Sequence, residues 1–304
     1  MSRVAPAVFV DDASPAMCVE GGGTHSRAAL HTAVDADGGF VADAGRCNPT
    51  TNLEAARESV EALWEQLAAK HGCARAETRL VLGCAGLVPE DVRAAFVGGF
   101  KGFRSVTPLS DGYVALVGAG GGQACGMIVA GTGCAGHRMR PDGTSLQRDG
   151  WGWIAGDRGS GAWIGLQALR HALTVRDGLL PEDELARVVL PELGADNAAI
   201  AGWFQDCEPV DVARFARHVF DRAAAGDELA EDILQRAAGH LRDLFRSLGC
   251  APDEPLYMAG SIATALAERI GAGMETKPQA VKGKALEGCA LVAFGKAPLE
   301  WPAA

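Results

Sequence analysis

The sequence predicts an α/β protein built from two related α/β domains. Up to about residue 117 it shows two or three strands followed by alternating helices and strands. A shorter copy of the opening strands follows after residue 125, with large helical segments inserted into it. The chain has 304 residues, 48% of them apolar, so it can bury one large core or two smaller ones. The repeated pattern favours a pseudo-duplicated pair of domains.

Net charge, cysteine spacing and the lack of long apolar runs argue against several kinds of binding partner. A formal net charge of −10 and a pI of about 5.2 argue against binding nucleic acid or an anionic membrane, both of which require dense Lys and Arg. The nine cysteines are scattered without a Cys-x-x-Cys pair, so no zinc ribbon or simple iron–sulfur cradle is indicated. No signal peptide and no apolar run of about 20 residues is recognised, which predicts a soluble cytoplasmic protein with reduced thiols.

The first glycine-rich turn follows residues 1–16, which are expected to form a loose leader. An apolar run leads into Glu20-Gly-Gly-Gly-Thr-His-Ser26, and a strand-like pattern resumes from Arg27 to Val34. This pattern predicts a β-hairpin whose tip exposes backbone N–H groups and the Thr24 hydroxyl, and such a tip can cradle phosphate. A plain glycine-rich hairpin turn explains the motif equally well.

Polar residues at the ends of predicted strands and helices supply further candidates. Thr51 and Glu54 have the spacing of a capping box, and a helix with one apolar stripe follows. Asn52 lies at the start of that helix and is explained by capping alone. Asp111 follows a predicted strand, residues 104–109, and begins another helix. An acid there is commonly an N-cap, yet α/β sheets also place ligand-contacting residues at this point.

The second glycine-rich turn is Gly131-Thr132-Gly133, at the end of an apolar run. With Gly136 it formally satisfies G-x-G-x-x-G, but the chain continues as a strand where a dinucleotide-binding motif requires a helix. No Walker A sequence is present. Two Gly/Thr hairpin tips with an acid between them therefore indicate an ATP site built from two domains. A strand, tight turn and helix around Gly260 form another place where backbone can approach a ligand.

A third glycine-rich segment, residues 149–161, precedes a helix. It combines Trp151, Trp153 and Asp157 with several glycines, which suits a pocket for a polar ligand. Asp157 fits hydrogen bonds to ring hydroxyls, and Trp151 offers an apolar face. Trp153 and Trp163 are expected mostly in the core.

The remaining elements follow from apolar periodicity and turn residues. They are a turn at Asp37-Gly38-Gly39, a glycine-rich break at 118–122 near the domain boundary, strands at 80–84, 126–130 and 255–259, and helices from 89 and 113 and over 162–175, 182–190, 197–205, 210–225, 228–248 and 285–294.

Six motifs occur in the order found in one known family. They are Val19-Glu-Gly-Gly-Gly-Thr-His-Ser26, Ser110-Asp-Gly112, Ala130-Gly-Thr-Gly133, Gly150-Trp-Gly152, Gly156-Asp-Arg-Gly-Ser-Gly161 and Met258-Ala-Gly-Ser-Ile262. From about residue 17 to about 296 the chain resembles N-acetylglucosamine kinases and bacterial glucosamine kinases of the BadF/BadG/BcrA/BcrD group, within the actin-like ATPase and sugar-kinase superfamily. The resemblance implies two actin-like (ribonuclease H-like) α/β domains with a cleft between them. Their expected extents are 1–117, with a final helix at about 285–304 packing back on it, and 118–284.

The resemblance also implies a function. It predicts transfer of the γ-phosphate of ATP, with Mg²⁺, to the 6-hydroxyl of N-acetylglucosamine or glucosamine, with Asp111 taking the hydroxyl proton. The implied sugar contacts are Asn52, Asp111, Gly150, Trp151 and Asp157, the nucleotide contacts are Gly22, Gly23, Thr24, Thr132, Gly133, Ala213, Ala259, Gly260 and Ser261, and Glu20 is the residue that reaches magnesium through water. Phosphoryl transfer requires mainly positioning and charge neutralisation, and a sugar hydroxyl requires a base, so these residue types suit the chemistry.

Three positions depart from the family pattern. Many members have Asp where Glu20 stands, most have Glu where Arg158 stands, and Cys134 replaces a common Ser. The glutamate at position 20 leaves the residues around the metal undecided. The arginine at position 158 leaves undecided whether that position contacts the sugar.

Two other classes remain as alternatives. An ATPase activator of an iron–sulfur dehydratase needs cluster-ligating cysteines at a subunit interface, an arrangement that these cysteines do not suggest. A non-catalytic sugar or nucleotide sensor of the superfamily often carries a DNA-binding domain before the first phosphate loop, for which 16 residues are expected to be too few. A homodimer is the common expectation for the family. The choice between N-acetylglucosamine and glucosamine depends on the pocket around the 2-substituent and stays open.

Overall fold

The computed structural model describes residues 12–33, 39–87 and 89–300. These residues form two mixed five-stranded sheets with helices, so the predicted α/β class is confirmed. Within these ranges no helix is long and apolar enough to span a membrane. Most of the predicted leader, the Asp37-Gly38 turn, Val34 and residues 301–304 lie outside the described residues.

The first sheet is centred on a buried strand that ends at the first glycine-rich turn. Its strands are β1 (Ala16–Gly21), β2 (Ser26–His31), β3 (Val41–Ala44), β4 (Arg79–Cys84) and β5 (Ser105–Ser110), in the order β3-β2-β1-β4-β5. β1 pairs antiparallel with β2 and parallel with β4, and β4 pairs parallel with β5. The register aligns Gly21 with Cys84 and Cys84 with Ser110. The carboxyl ends of three parallel strands thus lie side by side, which is where α/β sheets place ligand-contacting residues.

Within the described residues up to Cys125, three helices and a short 3₁₀ turn follow strands of this sheet along the chain. They are α1 (Leu53–His71), the turn Arg75–Glu77, α2 (Glu90–Gly98) and α3 (Asp111–Gly120). The predicted stripe of α1 is confirmed, since Val60, Leu63 and Leu67 are fully buried in the core cluster of this sheet. Gly72, with a φ of 66°, ends the helix in the left-handed region as a glycine can.

The N-cap of α1 differs from the predicted capping box. The side chain of Asn52, not that of Thr51, accepts a hydrogen bond from the N–H of Ala55 at 3.0 Å. Glu54 instead forms an ion pair with Arg57 one turn further on, at 2.7 Å. Asn is as good a cap as Thr or better, so the helix begins one residue later than the spacing suggested.

The second sheet repeats the strand order of the first. Its strands are β6 (Cys125–Ala130), β7 (Cys134–Met139), β8 (Ser145–Asp149), β9 (Leu256–Ala259) and β10 (Gln279–Ala280), in the order β10-β9-β6-β7-β8. In each sheet the first strand of the chain lies in the centre. The next two strands, connected by hairpins, lie on one side of it, and the last two strands lie on the other side. β6 and β9 are parallel, as β1 and β4 are. The predicted duplication is therefore confirmed at the level of topology.

Between residues 150 and 300, nine helices follow the hairpins of the second sheet along the chain. They are α4 (Gly161–Arg176), α5 (Glu184–Leu193), α6 (Asn197–Asp206), α7 (Pro209–Ala213), α8 (Ala216–Ala224), α9 (Glu228–Leu248), α10 (Ser261–Ala265), α11 (Ala267–Gly271) and α12 (Ala285–Ala293). The segment 210–225, predicted as one helix, is divided into α7 and α8. Phe215 at the break is fully buried with its ring 5.6 Å from that of Trp203, so the break directs this side chain into the core.

The predicted glycine-rich break at 118–122 is wrong in its first half, because Gly118–Gly120 form the last turn of α3. A Cβ on Gly118 would lie 2.1 Å from the carbonyl oxygen of Lys284, and one on Gly288 would lie 1.9 Å from that of Val114. The glycines therefore let α3 and α12 approach at backbone contact, which outweighs their low helix propensity. Gly121, with a φ of 61°, ends the helix.

The described residues fall into two compact units. One contains the chain up to Cys125, together with His137–Leu146 and the chain from Ala280. The other contains Gly126–Gly136 and Gln147–Gln279.

Candidate active site

The first glycine-rich turn is the tip of the β1–β2 hairpin, as predicted. The N–H of Gly22 donates to the carbonyl of His25 at 3.0 Å and closes the turn. Gly23 and Thr24 are exposed, and no backbone carbonyl of the described residues accepts from their N–H groups. The Thr24 hydroxyl lies 3.1 Å from Nδ1 of His25. The amides that this tip offers to an anion are therefore those of Gly23 and Thr24 rather than that of Gly22.

This tip is held from below by neutral packing and backbone hydrogen bonds. The carbonyls of Gly21 and Gly22 accept from the N–H groups of Ala85 and Cys47, each at 2.9 Å. A Cβ on Gly21 would lie 2.8 Å from both the Cβ of Cys47 and the Sγ of Cys84. Both thiols are fully buried, and their sulfurs are 3.5 Å apart. A side chain at position 21 would displace the tip.

Asn52 lies on a loop that is attached to the same end of the first sheet. The hydroxyl of Thr50 donates to the carbonyl of Gly86 at 2.7 Å, and the N–H of Asn52 donates to the carbonyl of Asn48 at 3.1 Å. Asn52 is exposed. One lone-pair direction of its Oδ1 is occupied by the helix cap, so its side-chain NH₂ is the group that can donate to a ligand.

Asp111 is the first residue of α3 but not its cap. The hydroxyl of Ser110 accepts from the N–H of Tyr113 at 3.2 Å and fills that role. Partial burial raises the pKa of the Asp111 carboxyl above its ordinary 3.8 and nearby Glu20 raises it further, whereas the N–H groups of Asp111 and Gly112 oppose this. The residue as a whole is nevertheless exposed, so solvent reaches the side chain although protein atoms surround part of it. A solvent-reachable carboxyl with a raised pKa is suited to accept a proton.

Glu20 and His137 are two of the ionisable neighbours of this position. Glu20 forms an ion pair with Arg27 at 2.9 Å across the β1–β2 register and is about one-third exposed. The ring of His137 packs on the backbone of Gly112, where a Cβ would lie 2.5 Å from its Cε1. Burial lowers the pKa of His137 to about 4, so the ring is neutral near pH 7.

The second glycine-rich turn is also a hairpin tip, but it rests on a helix N-terminus. The N–H of Gly131 donates to the carbonyl of Gly133 at 2.9 Å. The carbonyls of Gly131 and Thr132 accept from the N–H groups of Gly161 and Ala162 at 2.8 and 3.0 Å, at the start of α4. No described carbonyl accepts from the N–H groups of Thr132 and Gly133, which are therefore available to an anion.

The predicted nucleotide contacts of this second unit lie together. A Cβ on Gly161 would lie 3.0 Å from the carbonyl oxygen of Gly131, 3.3 Å from the Cβ of Ala213 and 3.5 Å from a side-chain carbon of Ile262. Gly260, with a φ of 95°, turns β9 into α10, and a Cβ there would lie 2.3 Å from the carbonyl oxygen of Ala130. The glycines thus bring the 131–133 tip, α7 and the 259–262 turn into one neighbourhood.

The third glycine-rich segment, residues 149–161, is shaped by Asp149, a residue that the sequence analysis did not name as a candidate. Oδ1 of Asp149 accepts from the N–H groups of Gly150 and Asp157, each at 2.9 Å, and so closes the loop between them. Asp149 and Asp157 have φ values of 59° and 54°, and no other non-glycine residue described here has a positive φ. Such backbone conformations cost about 1–3 kcal/mol each and cluster at functional sites. Trp151 is 81% exposed at the tip of this loop.

Asp157 lies beneath the second glycine-rich turn and is 7% exposed. Its carboxylate accepts from the N–H groups of Cys134 and Gly152, and a Cβ on Gly133 would lie 2.6 Å from its Oδ2. Burial, followed by the charge of Asp149, raises its pKa. This side chain therefore joins the second tip to the Gly-Trp-Gly loop.

Arg158 and Cys134 are occupied within the same unit. The guanidinium of Arg158 donates to Nδ1 of His240, on α9, at 2.8 Å. The Cys134 thiol donates to the carbonyl of Arg158 at 3.4 Å, and burial raises the pKa of that thiol. Trp153 and Trp163 are half-buried rather than core residues.

A second residue that the sequence did not point to lies near the C-terminus. The carboxylate of Glu300 accepts from both the N–H and the hydroxyl of Ser110, each at 2.6 Å. Glu300 is separated from Ser110 by 190 positions, and nothing in its local sequence indicates this partner, whereas Asp149 could have been suspected from its Asp-Gly pair.

Comparison with known proteins shows which family the chain belongs to. The family described as BadF/BadG/BcrA/BcrD ATPase matches residues 18–285. The chain is 29% identical over 286 residues to the glucosamine kinase GspK of Vibrio cholerae, covering 91% of this chain and 95% of that protein. It is 35% identical over 165 residues to an N-acetyl-D-glucosamine kinase of Dictyostelium discoideum, covering 50% and 52%.

A solved structure extends the likeness to the fold. It is that of a protein from Chromobacterium violaceum provisionally assigned as an N-acetylglucosamine kinase, with 28% identity and a TM-score of 0.80 over 92% of this chain and 99% of that one. The family match covers far more than half of the sequence and contains all six motifs. The chain belongs to the BadF/BadG/BcrA/BcrD ATPase family.

Proposed function

We propose that this protein is an ATP-dependent amino-sugar kinase that transfers the γ-phosphate of ATP to the 6-hydroxyl of N-acetylglucosamine or glucosamine. The observation that carries the proposal is Asp111. The residue is exposed, the pKa of its carboxyl is raised, and Ser110 caps the helix in its place. A carboxylate at this point can take the proton of a sugar hydroxyl as that oxygen attacks phosphorus. Two relatives named as amino-sugar kinases support the same choice of substrate.

The nucleotide phosphates are assigned to the two hairpin tips. Gly23 and Thr24 in one tip and Thr132 and Gly133 in the other have N–H groups that no described carbonyl accepts from. Fixed N–H donors stabilise the charge on phosphoryl oxygens without reorganising during the reaction. Gly22 contributes the shape of its turn. Ala213 and residues 259–261, which lie against the second tip, are assigned to the nucleoside.

The sugar is assigned to residues that offer both hydrogen bonds and an apolar face. In the first unit these are Asn52, through its side-chain NH₂, and Asp111. In the second unit they are the exposed Trp151, the backbone of Gly150 and Asp157. Because Asp157 already binds two backbone N–H groups, its main contribution is to hold the shape of the Gly-Trp-Gly loop.

Magnesium is assigned to the side of the first tip. Mg²⁺ is usually bound through one or two carboxylates, waters and substrate phosphates rather than by an all-protein cage. Glu20 fits this pattern, since it is partly exposed at the end of β1 and close enough to Asp111 to influence its pKa. No group of three or more His, Cys, Asp or Glu in the described ranges is arranged to hold a metal. When bound with ATP, the ion would neutralise charge on the phosphate oxygens.

The experiment is a coupled ADP-release assay with MgATP and a panel of hexoses, with the product analysed by mass spectrometry and NMR. We expect turnover with N-acetylglucosamine or glucosamine and a 6-phosphate product. The 6-deoxy analogue of the active sugar is the matched control, because it can occupy the pocket but has no hydroxyl to phosphorylate. ADP release that ignores every amino sugar but rises with a partner protein would replace this proposal with the dehydratase-activator alternative.

A further inference from the structure

The C-terminal segment after α12 is attached to the helix that carries Asp111. We propose that Glu300 is a positioning residue for Asp111, an inference that rests on the kinase function proposed above. Glu300 touches neither assigned substrate, and it acts through Ser110, the residue immediately before Asp111.

The contact is bidentate and made with one residue. Oε2 of Glu300 accepts from the N–H of Ser110, and Oε1 accepts from its hydroxyl, each at 2.6 Å. The same hydroxyl oxygen accepts from the N–H of Tyr113 at 3.2 Å. Because the Ser110 hydroxyl donates its hydrogen bond to Glu300, the lone pairs of Ser110 Oγ are directed towards the helix. The carboxylate thus fixes both the backbone and the side chain of the cap.

A second contact holds the same segment in place. The buried hydroxyl of Tyr113 donates to the carbonyl of Pro298 at 2.8 Å. Residues 298 and 300 are therefore fixed at both ends of the first turn of α3. Residues 298 and 300 follow the region 18–285 that the family model matches, whereas Ser110 and Tyr113 lie within it.

The position of the contact gives it a consequence for catalysis. Ser110 ends β5, and Asp111 begins α3, so the peptide between them sets the direction of the Asp111 side chain. Displacement of a reacting group by about 1 Å can cost on the order of 10²-fold in rate. A carboxylate is also favourable at a helix N-terminus, which strengthens the attachment.

Several charged groups surround the pair and must be considered together. Burial raises the pKa of Glu300, which Ser110 opposes, and Asp111 and Arg93 of α2 act on it by their charges. Asp111 in turn faces Glu20 of β1, and its neighbour Gly112 faces the neutral ring of His137. Of these groups, only Glu300 hydrogen-bonds to Ser110, the residue immediately before Asp111.

A double-mutant cycle tests the proposal. Glu300→Gln keeps the size of the side chain but cannot accept from both donors of Ser110, so we expect kcat to fall about 10-fold with both KM values within about twofold. In an Asp111→Asn background the same change should have no further effect, because the group being positioned is already disabled. An equal loss of kcat in both backgrounds would overturn the proposal.

Two further measurements separate positioning from simple attachment of the segment. Tyr113→Phe removes the contact to Pro298 and leaves Glu300 on Ser110, so it should keep near-native kcat; a loss matching that of Glu300→Gln would contradict us. By NMR, Glu300→Gln should speed hydrogen exchange of the Ser110 amide, because its N–H loses a carboxylate acceptor. An unchanged exchange rate of this amide would end the inference. This readout holds even if the wild-type protein phosphorylated no sugar, which would end the proposed function instead.

Discussion

Asp111 and Asp157 are two aspartates whose pKa is raised mainly by burial, yet the structure uses them differently. Asp111 stands exposed at a helix start, and Ser110 takes over its capping role. Asp157 is 7% exposed and accepts from two backbone N–H groups beneath a glycine-rich turn. A raised pKa alone therefore does not identify the base. The distinction lies in whether the carboxylate oxygens are still available to a substrate.

The same contrast applies to the two hairpin tips. The first is held by buried thiols and by the N–H groups of Cys47 and Ala85, which donate to its carbonyls, and the Cβ that Gly21 lacks would strike Cys47 and Cys84. The second rests on the N-terminus of α4 and on Asp157, which lies against Gly133. The two sheets have the same strand order, yet different contacts hold their hairpin tips in place. Neutral packing holds one tip, and a buried charge holds the other.

The largest effect is expected from Asp111→Asn. Asn keeps the shape but cannot accept the sugar proton, so kcat should fall about 10²–10⁴-fold. Folding raises the pKa of Asp111, so its ionised form weakens the folded state above that pKa, and this cost disappears below 3.8. The melting temperature near pH 7 should therefore stay level or rise. Steady-state kinetics and calorimetry on one preparation test both points, and near-native turnover would remove the catalytic assignment.

Asp157→Ala should instead reduce stability. It leaves the N–H groups of Cys134 and Gly152 without their acceptor, which costs about 1–3 kcal/mol for each buried donor and is partly offset by loss of a disfavoured charge. We expect a net loss of about 2 kcal/mol and a roughly 10-fold fall in kcat as the second tip shifts. Urea denaturation measures the first quantity.

Asp157→Asn is the matched control for that change. It keeps one acceptor oxygen and, like Asp, tolerates the left-handed backbone at this position, so its stability should lie between wild type and Ala. If the Ala variant were as stable as wild type but lost sugar binding, Asp157 would be a substrate contact rather than a support.

The sequence allowed the glycine-rich turns and the helix faces to be predicted because these features are local. The Gly131–Gly133 turn and the apolar stripe of α1 each depend on residues that are close together in the sequence. The helical end of α3 was missed because it depends on Gly288, which lies 170 positions away and lets two backbones touch. The support from Glu300 was missed for the same reason. A long-range hydrogen bond leaves no spacing that a single sequence can display.

A moderate effect on pH dependence is expected from Glu20→Gln. Activity should fall as pH drops through the pKa of Asp111, because a base must be ionised. Glu20 is one of the causes that raise this pKa, so its neutral replacement should move the acid limb of the kcat profile to lower pH. Profiles of kcat against pH, measured at saturating ATP and magnesium, give the midpoint of the acid limb separately from any change in the maximal rate. A midpoint that stayed in place or moved upward would show that Glu20 does not act on the base.

The smallest effect is expected from Arg158→Gln. Although Arg158 directly follows Asp157, its guanidinium donates to His240 on α9, and its contact with Cys134 is made by its backbone carbonyl. The glutamine variant keeps the backbone contact, so kcat and both KM values should stay within about threefold. Arg236→Gln is the matched control, since Arg236 lies over the Trp163 ring, which packs against His240. If Arg158→Gln alone raised the sugar KM 10-fold or more at unchanged ATP KM, the guanidinium would have to leave His240 for the sugar during turnover. The residue next to Asp157 would then contact substrate.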